Sequence, residues 1–335
     1  MTNCTCAHSG GVRTFAGVPS KGMHMSYQFS PETTFPKQLA PVSRPAPRRT
    51  GRFARTRGLR LMRGAYAVLC RLAPAVAAQL AYAQLATPPR TAQLDSRLAL
   101  RDQALGHRLP FAGGDLAVLS WGQGPAVLLV HGWGSHATHM DRMIGPLVGA
   151  GYRVVAFDAP AHGQSTGRAT DLVQFAAAIA AVAAHTGPLH AVLAHSFGAS
   201  MALYAQRDWG LDAKKMVLVS SFDHCNWFTE AFAEHVGLTA AVLARVRDRL
   251  VRLYGGRLDW ARMSVVDMLR GSDSQALVIH DEEDEEIPFE HGLALANARP
   301  GVRFRGTRGF GHQLVLRSAG VIDAVVEFIS SEEAS

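Results

Sequence analysis

A serine lies between small residues in the segment from Ala194 to Gly198, directly after an apolar run and directly before an Ala-rich one. A strand that turns abruptly into a helix leaves the turn residue exposed above the sheet edge, and the first amides of the helix point at the same place. The hydroxyl of Ser196 could therefore act as a nucleophile. Because serine is also a favoured helix N-cap, this interpretation depends on whether the chain supplies partners for it.

The first partner required is a base. A serine hydroxyl is a poor nucleophile until an imidazole accepts its proton, and an acid must hold that imidazole in one tautomer. His312 follows the predicted strand Val302–Thr307 as part of a Gly-His pair, which is a suitable place for the base. An acid between the serine and the histidine would complete the order serine, acid, histidine, which occurs in α/β-hydrolases and not in chymotrypsin or subtilisin.

The acid is less well defined by the residues alone. Six consecutive carboxylates, Asp281–Glu286, follow the predicted strand Ala276–His280, and such a run normally indicates a solvated loop. Asp281, Asp284 and, after the preceding strand, Asp223 remain open as the acid at this point.

Three further motifs occur in a meaningful order. Residues 130–134, Val-His-Gly-Trp-Gly, are similar to an HGxxG oxyanion loop. Residues 158–165 are similar to the turn D-x-x-G-H-G-x-S, with alanine in place of its first glycine, and residues 280–288 are similar to H-G-x-x-D-x-x-V-P, with aspartate in place of its glycine. With the serine segment, these motifs make residues 108–332 resemble α/β-hydrolases of the esterase and C–C-hydrolase type.

The resemblance implies a role for each residue of a catalytic centre. Ser196 corresponds to the nucleophile, Asp284 to the acid and His312 to the base. The oxyanion hole would consist of the backbone amides of Trp133 and Phe197. The expected reaction is hydrolysis of a carboxylic ester through an acyl-enzyme, with thioesters, lactones and C–C bonds beside a ketone as related substrates. The alternative is a catalytically silent member that binds a small molecule in the same pocket.

Several residues around these motifs are expected to contact a small ester-like substrate. The resemblance implies no cofactor, and because no acidic ligand set accompanies His136 and His139, no metal site is expected. The expected substrate-binding residues are His131, Gly132, Trp133, Phe197, Phe222, Trp227 and Phe228.

Residues 224–270 lie where this family inserts a cap over the serine. They contain amphipathic helical patterns, and a cap this small suggests a modest apolar pocket. Its predicted underside, facing the serine, consists of Trp227, Phe228, Phe232, Leu243 and Trp260.

Short apolar runs alternate with helical patterns over residues 96–335, which form the predicted hydrolase domain. This alternation predicts an α/β fold with a mostly parallel, doubly covered sheet of about eight strands. Ligands bind such sheets at the carboxyl ends of the strands, where every motif above lies. The segments Leu116–Trp121 and Ala126–Val130 are predicted to form a hairpin across Gly122–Pro125.

The chain before this domain differs in composition. Residues 1–94 carry 13 Lys/Arg and one acidic residue, whereas the remainder carries 21 basic and 26 acidic residues, although the whole chain has net charge +7. Residues 1–58 are predicted to be a disordered basic segment, for which a targeting role stays open. Nucleic-acid binding would depend on this segment alone and is not expected.

Residues 59–95 are predicted to be a helix and a linker. Within them, residues 59–88 are apolar over much of a helical surface, but arginines interrupt the run, so a membrane span is not expected. A helix packed on the domain, or one in contact with a membrane interface, fits this pattern. The four cysteines favour a reducing, cytoplasmic compartment, and the sequence leaves the oligomeric state undetermined.

Overall fold

An eight-stranded sheet is the centre of the structure, a computed structural model that describes residues 57–89 and 95–332. These residues all belong to one compact unit, Arg49–Ser335. The sheet has the order β1-β2-β4-β3-β5-β6-β7-β8, and the pairs from β4 to β8 are parallel. The predicted α/β class and mostly parallel sheet are confirmed. The strands are β1 (Leu105–Phe111), β2 (Gly114–Trp121), β3 (Ala126–Val130), β4 (Arg153–Phe157), β5 (Leu189–His195), β6 (Ala213–Val219), β7 (Gln275–Asp281) and β8 (Arg303–Thr307).

Helices cover both faces of the sheet, so the central strands are mostly apolar, and β3 is apolar and buried along its whole length. Local signals set the helix ends: the Asp171 side chain accepts the Val173 and Gln174 amides at one start, and Gly210 adopts a left-handed conformation at one end. The helices are α1 (Arg57–Leu72), α2 (Pro74–Leu85), α3 (Asp95–Asp102), α4 (Asp141–Gly149), α5 (Leu172–Thr186), α6 (Phe197–Trp209), α7 (Cys225–Val236), α8 (Ala240–Leu253), α9 (Val265–Arg270), α10 (Phe289–Ala296), α11 (Gly311–Leu314) and α12 (Ala319–Ser330).

The predicted hairpin between Leu116–Trp121 and Ala126–Val130 is wrong. Strand β4 lies between β2 and β3, pairing antiparallel with the former and parallel with the latter. The true hairpin joins β1 to β2 through Ala112 and Gly113, which both have positive φ (50° and 82°), as a tight two-residue turn requires. Sequence reasoning missed it because β1 is an edge strand with an irregular pattern that includes Pro110.

The segment predicted as one helix over residues 59–88 forms two. Pro74 lacks an amide hydrogen and excludes helical geometry from the residue before it, so α1 ends at Leu72 and α2 begins at Pro74. The two helices are linked by a hydrogen bond of 2.9 Å from the Tyr66 hydroxyl to Gln84 Oε1. We call this pair of helices the N-terminal hairpin.

The N-terminal hairpin packs on the cap. The cap consists of α7, α8 and α9 and lies between β6 and β7. Arg63 donates to the backbone oxygens of Glu234 and His235 at the end of α7, at 2.9 and 3.0 Å, where the helix dipole favours a cation. A small apolar core joins the two helix pairs, and its buried members are Tyr66, Ala77, Ala78, Ala81, Leu85, Val236, Val242 and Val246.

Candidate active site

Ser196 lies at the tight turn between β5 and α6, with φ of 56°. Such a positive φ is strained for a residue with a Cβ. The turn is possible because its surroundings are small: a Cβ on Gly198 would lie 2.2 Å from the backbone oxygen of His131. The turn leaves the Ser196 side chain half-buried at the carboxyl edge of the sheet.

His312 lies directly against this serine. It is carried on the short helix α11, after β8, and its Nε2 is 3.0 Å from Ser196 Oγ. Its Nδ1 is 2.7 Å from Asp284 Oδ2. Because an ionised carboxylate only accepts, these partners place the imidazole proton on Nδ1 and leave the Nε2 lone pair facing the serine hydroxyl. This is the geometry that a general base requires.

Asp284 is held as a carboxylate. Burial disfavours its charge, but the imidazole of His280, 3.5 Å away, and the hydrogen bond from His312 outweigh that effect and hold its pKa well below the usual range. Its other oxygen, Oδ1, accepts the amides of Glu286 and Ile287 at 2.9 and 2.8 Å. The carboxylate is therefore fixed in one orientation with one oxygen aimed at the imidazole.

The same charge acts on His312. Burial alone would lower the pKa of this imidazole, but the hydrogen bond and charge of Asp284, together with the charge of Glu286, raise it. Glu286 Oε2 lies 3.7 Å from His312 Nε2, with half of its side chain exposed. A second carboxylate thus lies on the reactive side of the base, which nothing in the motif pattern indicated.

The other two candidate acids are engaged elsewhere. Asp281 accepts the Thr307 hydroxyl at 2.7 Å and the amides of Gly311 and Phe310 at 2.9 and 3.2 Å. It thereby holds the loop that carries His312 without touching the imidazole. Asp223 pairs with His291 at 2.7 Å. Of the three carboxylates, the structure brings only Asp284 to His312.

The loop after β3 reaches over the serine. A Cβ on Gly132 would lie 3.1 Å from Ser196 Cβ, so the backbone approaches closely only because this residue is glycine. Trp133 follows in the same loop, and its ring lies 5.1 Å from that of Phe197, measured between centroids. Phe197 begins α6, where the first amides have no partner within the helix. Both expected oxyanion donors thus belong to segments that adjoin Ser196.

Two buried imidazoles brace this loop. His131 Nδ1 lies 2.7 Å from Gly132 O and its Nε2 accepts the Ala159 amide at 3.0 Å, so His131 uses both nitrogens on backbone groups. His162 Nε2 accepts the Gly134 amide at 2.9 Å. Burial lowers the pKa of both, that of His162 to about 4, and a neutral ring is what an accepting nitrogen requires.

His131 therefore differs from its expected role as a substrate-binding residue. Its side chain has no exposed surface, and neither nitrogen is left for a ligand. The structure makes it a positioning residue for the loop between Gly132 and Gly134. The sequence identified His131 as part of the loop motif. That its side chain points into the core depends on how the sheet packs under this loop, which the motif does not show.

An aromatic cluster joins the cap to Phe197, the residue after the serine, and to Trp133. Phe228 of α7 lies 4.6 Å from Phe197 and 5.4 Å from Trp133 between ring centroids, and Trp227 stacks on Phe222 at 5.8 Å. Of the residues predicted for the underside of the cap, Trp227, Phe228 and Trp260 pack on the core cluster that contains Phe197 and Phe222. Phe232 packs on the core shared with the N-terminal hairpin, and the Trp260 ring packs on Arg247.

The end of the N-terminal hairpin reaches the same place. Ala86, just after α2, accepts the Thr170 amide at 2.8 Å, and a Cβ on Gly134 would lie 2.7 Å from the Pro89 ring. Tyr82 and Leu85 line a cavity of about 10 Å³ that also borders Trp133 and Phe228. The sequence predicted a helix over most of this segment but not that its end lies beside the loop that follows β3.

Comparison with known proteins identifies the family of this chain. The sequence model of the alpha/beta hydrolase family matches residues 127–319, more than half of the chain. The chain belongs to the alpha/beta hydrolase family. It is also 25% identical over 268 residues to a non-heme haloperoxidase of Rhodococcus erythropolis, a match that covers 65% of this chain and 97% of that protein.

Solved structures of alpha/beta hydrolases share the fold. An esterase of Pyrococcus furiosus matches with TM-score 0.55 and 18% identity, covering 73% of this chain and 96% of its own. A bromoperoxidase of Bacillus anthracis matches with TM-score 0.52 and 16% identity, covering 68% and 99%. These two likenesses show the fold, whereas membership of the alpha/beta hydrolase family supports an enzyme with hydrolase-like activity.

Two further properties of this hydrolase bear on its site. Among the residues that the structure describes, no group of three or more histidine, cysteine, aspartate or glutamate side chains is arranged to hold a metal ion. None of the helices in that part of the chain is long and apolar enough to cross a membrane.

Proposed function

We propose that this alpha/beta hydrolase is a serine hydrolase that cleaves carboxylic esters through an acyl-enzyme intermediate. The observation that carries the proposal is the continuous hydrogen-bonded line from Asp284 through His312 to Ser196, at 2.7 and 3.0 Å. The position of Ser196 between the carboxyl end of β5 and the first residue of α6 supports it, because the nucleophilic serine of this fold occupies a strand-to-helix turn of this kind.

In the proposed reaction, Ser196 Oγ attacks the ester carbonyl while His312 Nε2 takes its proton. The negative charge that develops on the carbonyl oxygen is stabilised by the backbone amides of Trp133 and Phe197. The protonated imidazole then donates to the leaving alcohol as the C–O bond breaks, giving the acyl-enzyme. Water, deprotonated by His312, releases the acid and restores the serine, while Asp284 keeps the imidazole oriented throughout.

The proposed substrate is an uncharged ester with an apolar acyl group. Next to Ser196, the ring of Phe197 packs against Trp133, Phe222 and Phe228, and apolar walls favour apolar ligands. Glu286, close to His312, disfavours an anionic group there because like charges repel. Thioesters, lactones and C–C bonds beside a ketone are handled by the same chemistry and belong in the same test.

A panel of 4-nitrophenyl esters from acetate to decanoate tests the proposal, with a thioester and a lactone of matched acyl length alongside. Wild type should turn over neutral esters of short to medium chain length, and His312→Ala should lower kcat by about 10⁴-fold or more. The alternative of a silent binding protein predicts saturable binding with no turnover above the His312→Ala variant. That result would remove the enzymatic proposal.

A further inference from the structure

The outer face of the N-terminal hairpin is apolar. Of the twelve large hydrophobic side chains exposed among the described residues, five lie on this hairpin. On α1 they recur at helical spacing, with Leu61 75%, Val68 56% and Leu72 80% exposed. Val76 and Leu80, one turn apart on α2, are 47% and 48% exposed. Burial of the opposite side against the cap therefore leaves an apolar stripe on each helix.

This face is also strongly basic. Residues 57–89 contain four arginines and no acidic residue. Arg63 binds the end of α7, whereas Arg57, Arg60 and Arg71 are exposed beside the apolar stripe of α1. Arginines that flank an apolar helical face are typical of helices that lie in the interface of an anionic bilayer.

We propose that the outer face of the N-terminal hairpin docks this protein on the surface of anionic lipid membranes. The aliphatic side chains Leu61, Val68 and Leu72 would enter the boundary between headgroups and acyl chains, and the arginines would lie at the phosphates. Charge argues against a second copy as the occupant, because two such faces would bring like charges together. The preceding residues 1–56 are basic as well, so charge also argues against them.

The position of the N-terminal hairpin connects the proposed docking surface to the candidate active site. The chain leaves α2 beside the proposed oxyanion loop: Leu85 lines the small cavity next to Trp133 and Phe228, and Pro89 lies against Gly134. A membrane held at the hairpin would thus be connected to the site through a single short helix. The docking does not depend on the hydrolase activity, and the inactive variant Ser196→Ala is expected to bind membranes like wild type.

Vesicle sedimentation of the full chain tests the proposal. Wild type should bind vesicles of phosphatidylcholine with 30% phosphatidylglycerol, and bind vesicles of phosphatidylcholine alone at least about tenfold more weakly. Leu61→Ser with Leu72→Ser should weaken binding to the anionic vesicles by about tenfold or more, since each leucine loses its transfer from water. Leu105→Ser is the matched control, because this leucine is 76% exposed on β1, and it should bind as wild type does.

Two further variants keep the test decisive. Val76→Ser with Leu80→Ser addresses α2 in case the α1 variant fails to fold, as judged by circular dichroism, and it should also weaken binding. Arg57→Gln with Arg60→Gln and Arg71→Gln should remove most of the preference for anionic lipid.

Three results would overturn the proposal. The first is a wild type that does not sediment with anionic vesicles. The second is sedimentation of the leucine and valine variants at the wild-type level, which would assign the binding to residues 1–56. The third is a wild-type dimer in sedimentation velocity that the Leu61→Ser, Leu72→Ser variant converts to a monomer, which would make the face an interface between two copies.

Discussion

Two neighbouring strands of the sheet end in a serine with nearly the same backbone geometry. Ser196 follows β5 with φ of 56°, and Ser220 follows β6 with φ of 52°. Each amide donates to the adjacent strand, that of Ser196 to Val219 O at 2.8 Å and that of Ser220 to Ile279 O at 2.9 Å. Strain at the end of a strand is therefore not what distinguishes a nucleophile in this protein.

The difference lies in what surrounds each hydroxyl. Ser196 is half-buried, 3.0 Å from His312 Nε2, and leads straight into α6. Ser220 is fully buried, and its hydroxyl has no hydrogen-bond partner among the residues that the structure describes. A close helix start, a base and access from solvent occur together at the first site only. The comparison predicts that loss of the carboxylate that orients His312 lowers kcat. Substitution of Ser220 should leave kcat unchanged.

The largest effect is expected from the acid. Asp284→Asn should reduce kcat by about 10⁴-fold, because the amide no longer selects the tautomer in which Nε2 accepts the serine proton. Asp281→Asn should instead lower the free energy of unfolding by about 1–3 kcal/mol, since it weakens the bonds to Thr307 and Gly311, with a much smaller loss of kcat. Ester hydrolysis assays measure kcat, and chemical denaturation measures the free energy of unfolding, for both variants. Equal losses of kcat would contradict the distinction between these two carboxylates.

A smaller effect is expected at the pocket wall. Leu85→Ala enlarges the cavity beside Trp133 and Phe228. The variant should therefore raise kcat/KM for esters with longer acyl chains, by about fourfold for each added methylene that fits the enlarged cavity. Leu80→Ala, on the exposed side of the same helix, should leave the profile unchanged. The 4-nitrophenyl ester series checks both. An unchanged profile for Leu85→Ala would place the acyl group elsewhere.

The pH profile should respond to Glu286. In the proposed reaction the neutral form of His312 is the base, so kcat/KM should fall as pH decreases through the pKa of His312. Glu286→Gln removes one of the charges that raise this pKa, and the acid limb should therefore move to lower pH. Glu285→Gln removes the same charge from the neighbouring residue and should leave the limb closer to that of wild type. Added salt should reduce the Glu286 effect, because half of its side chain is exposed.

The smallest effect is expected at the second serine. Ser220→Ala keeps a Cβ at the same backbone angle and removes a hydroxyl that has no partner among the described residues. It should change the free energy of unfolding by less than about 1 kcal/mol and leave kcat unchanged. A large loss of activity would mean that this strand end takes part in the reaction after all.

The sequence alone predicted the serine turn, the central strands and the family. The small residues Ala194 and Gly198 flank Ser196, whereas Leu218 and Phe222 occupy the same offsets around Ser220, so the pattern already separated the two strand ends. The central strands were recognisable because both of their faces are buried. The fold class and the family followed from these features and from the order of the motifs.

Other parts required three-dimensional information. Strand β4 separates β2 from β3, and the pairing of an edge strand such as β1 depends on its neighbour more than on its own residues. The inward direction of His131 and the approach of Glu286 to His312 are products of loop packing. The packing of the N-terminal hairpin on the cap depends on contacts between residues far apart in the chain, which a periodic pattern does not reveal.

Labelling with a fluorophosphonate probe, mapped by peptide mass spectrometry, tests the central claim that Ser196 alone of the two strained serines is activated. Wild type and Ser220→Ala should both be modified at Ser196, at similar rates that rise with pH through the pKa of His312. Ser196→Ala should not be modified. Labelling of Ser196→Ala at the wild-type rate, or modification of wild type at Ser220, would contradict the account.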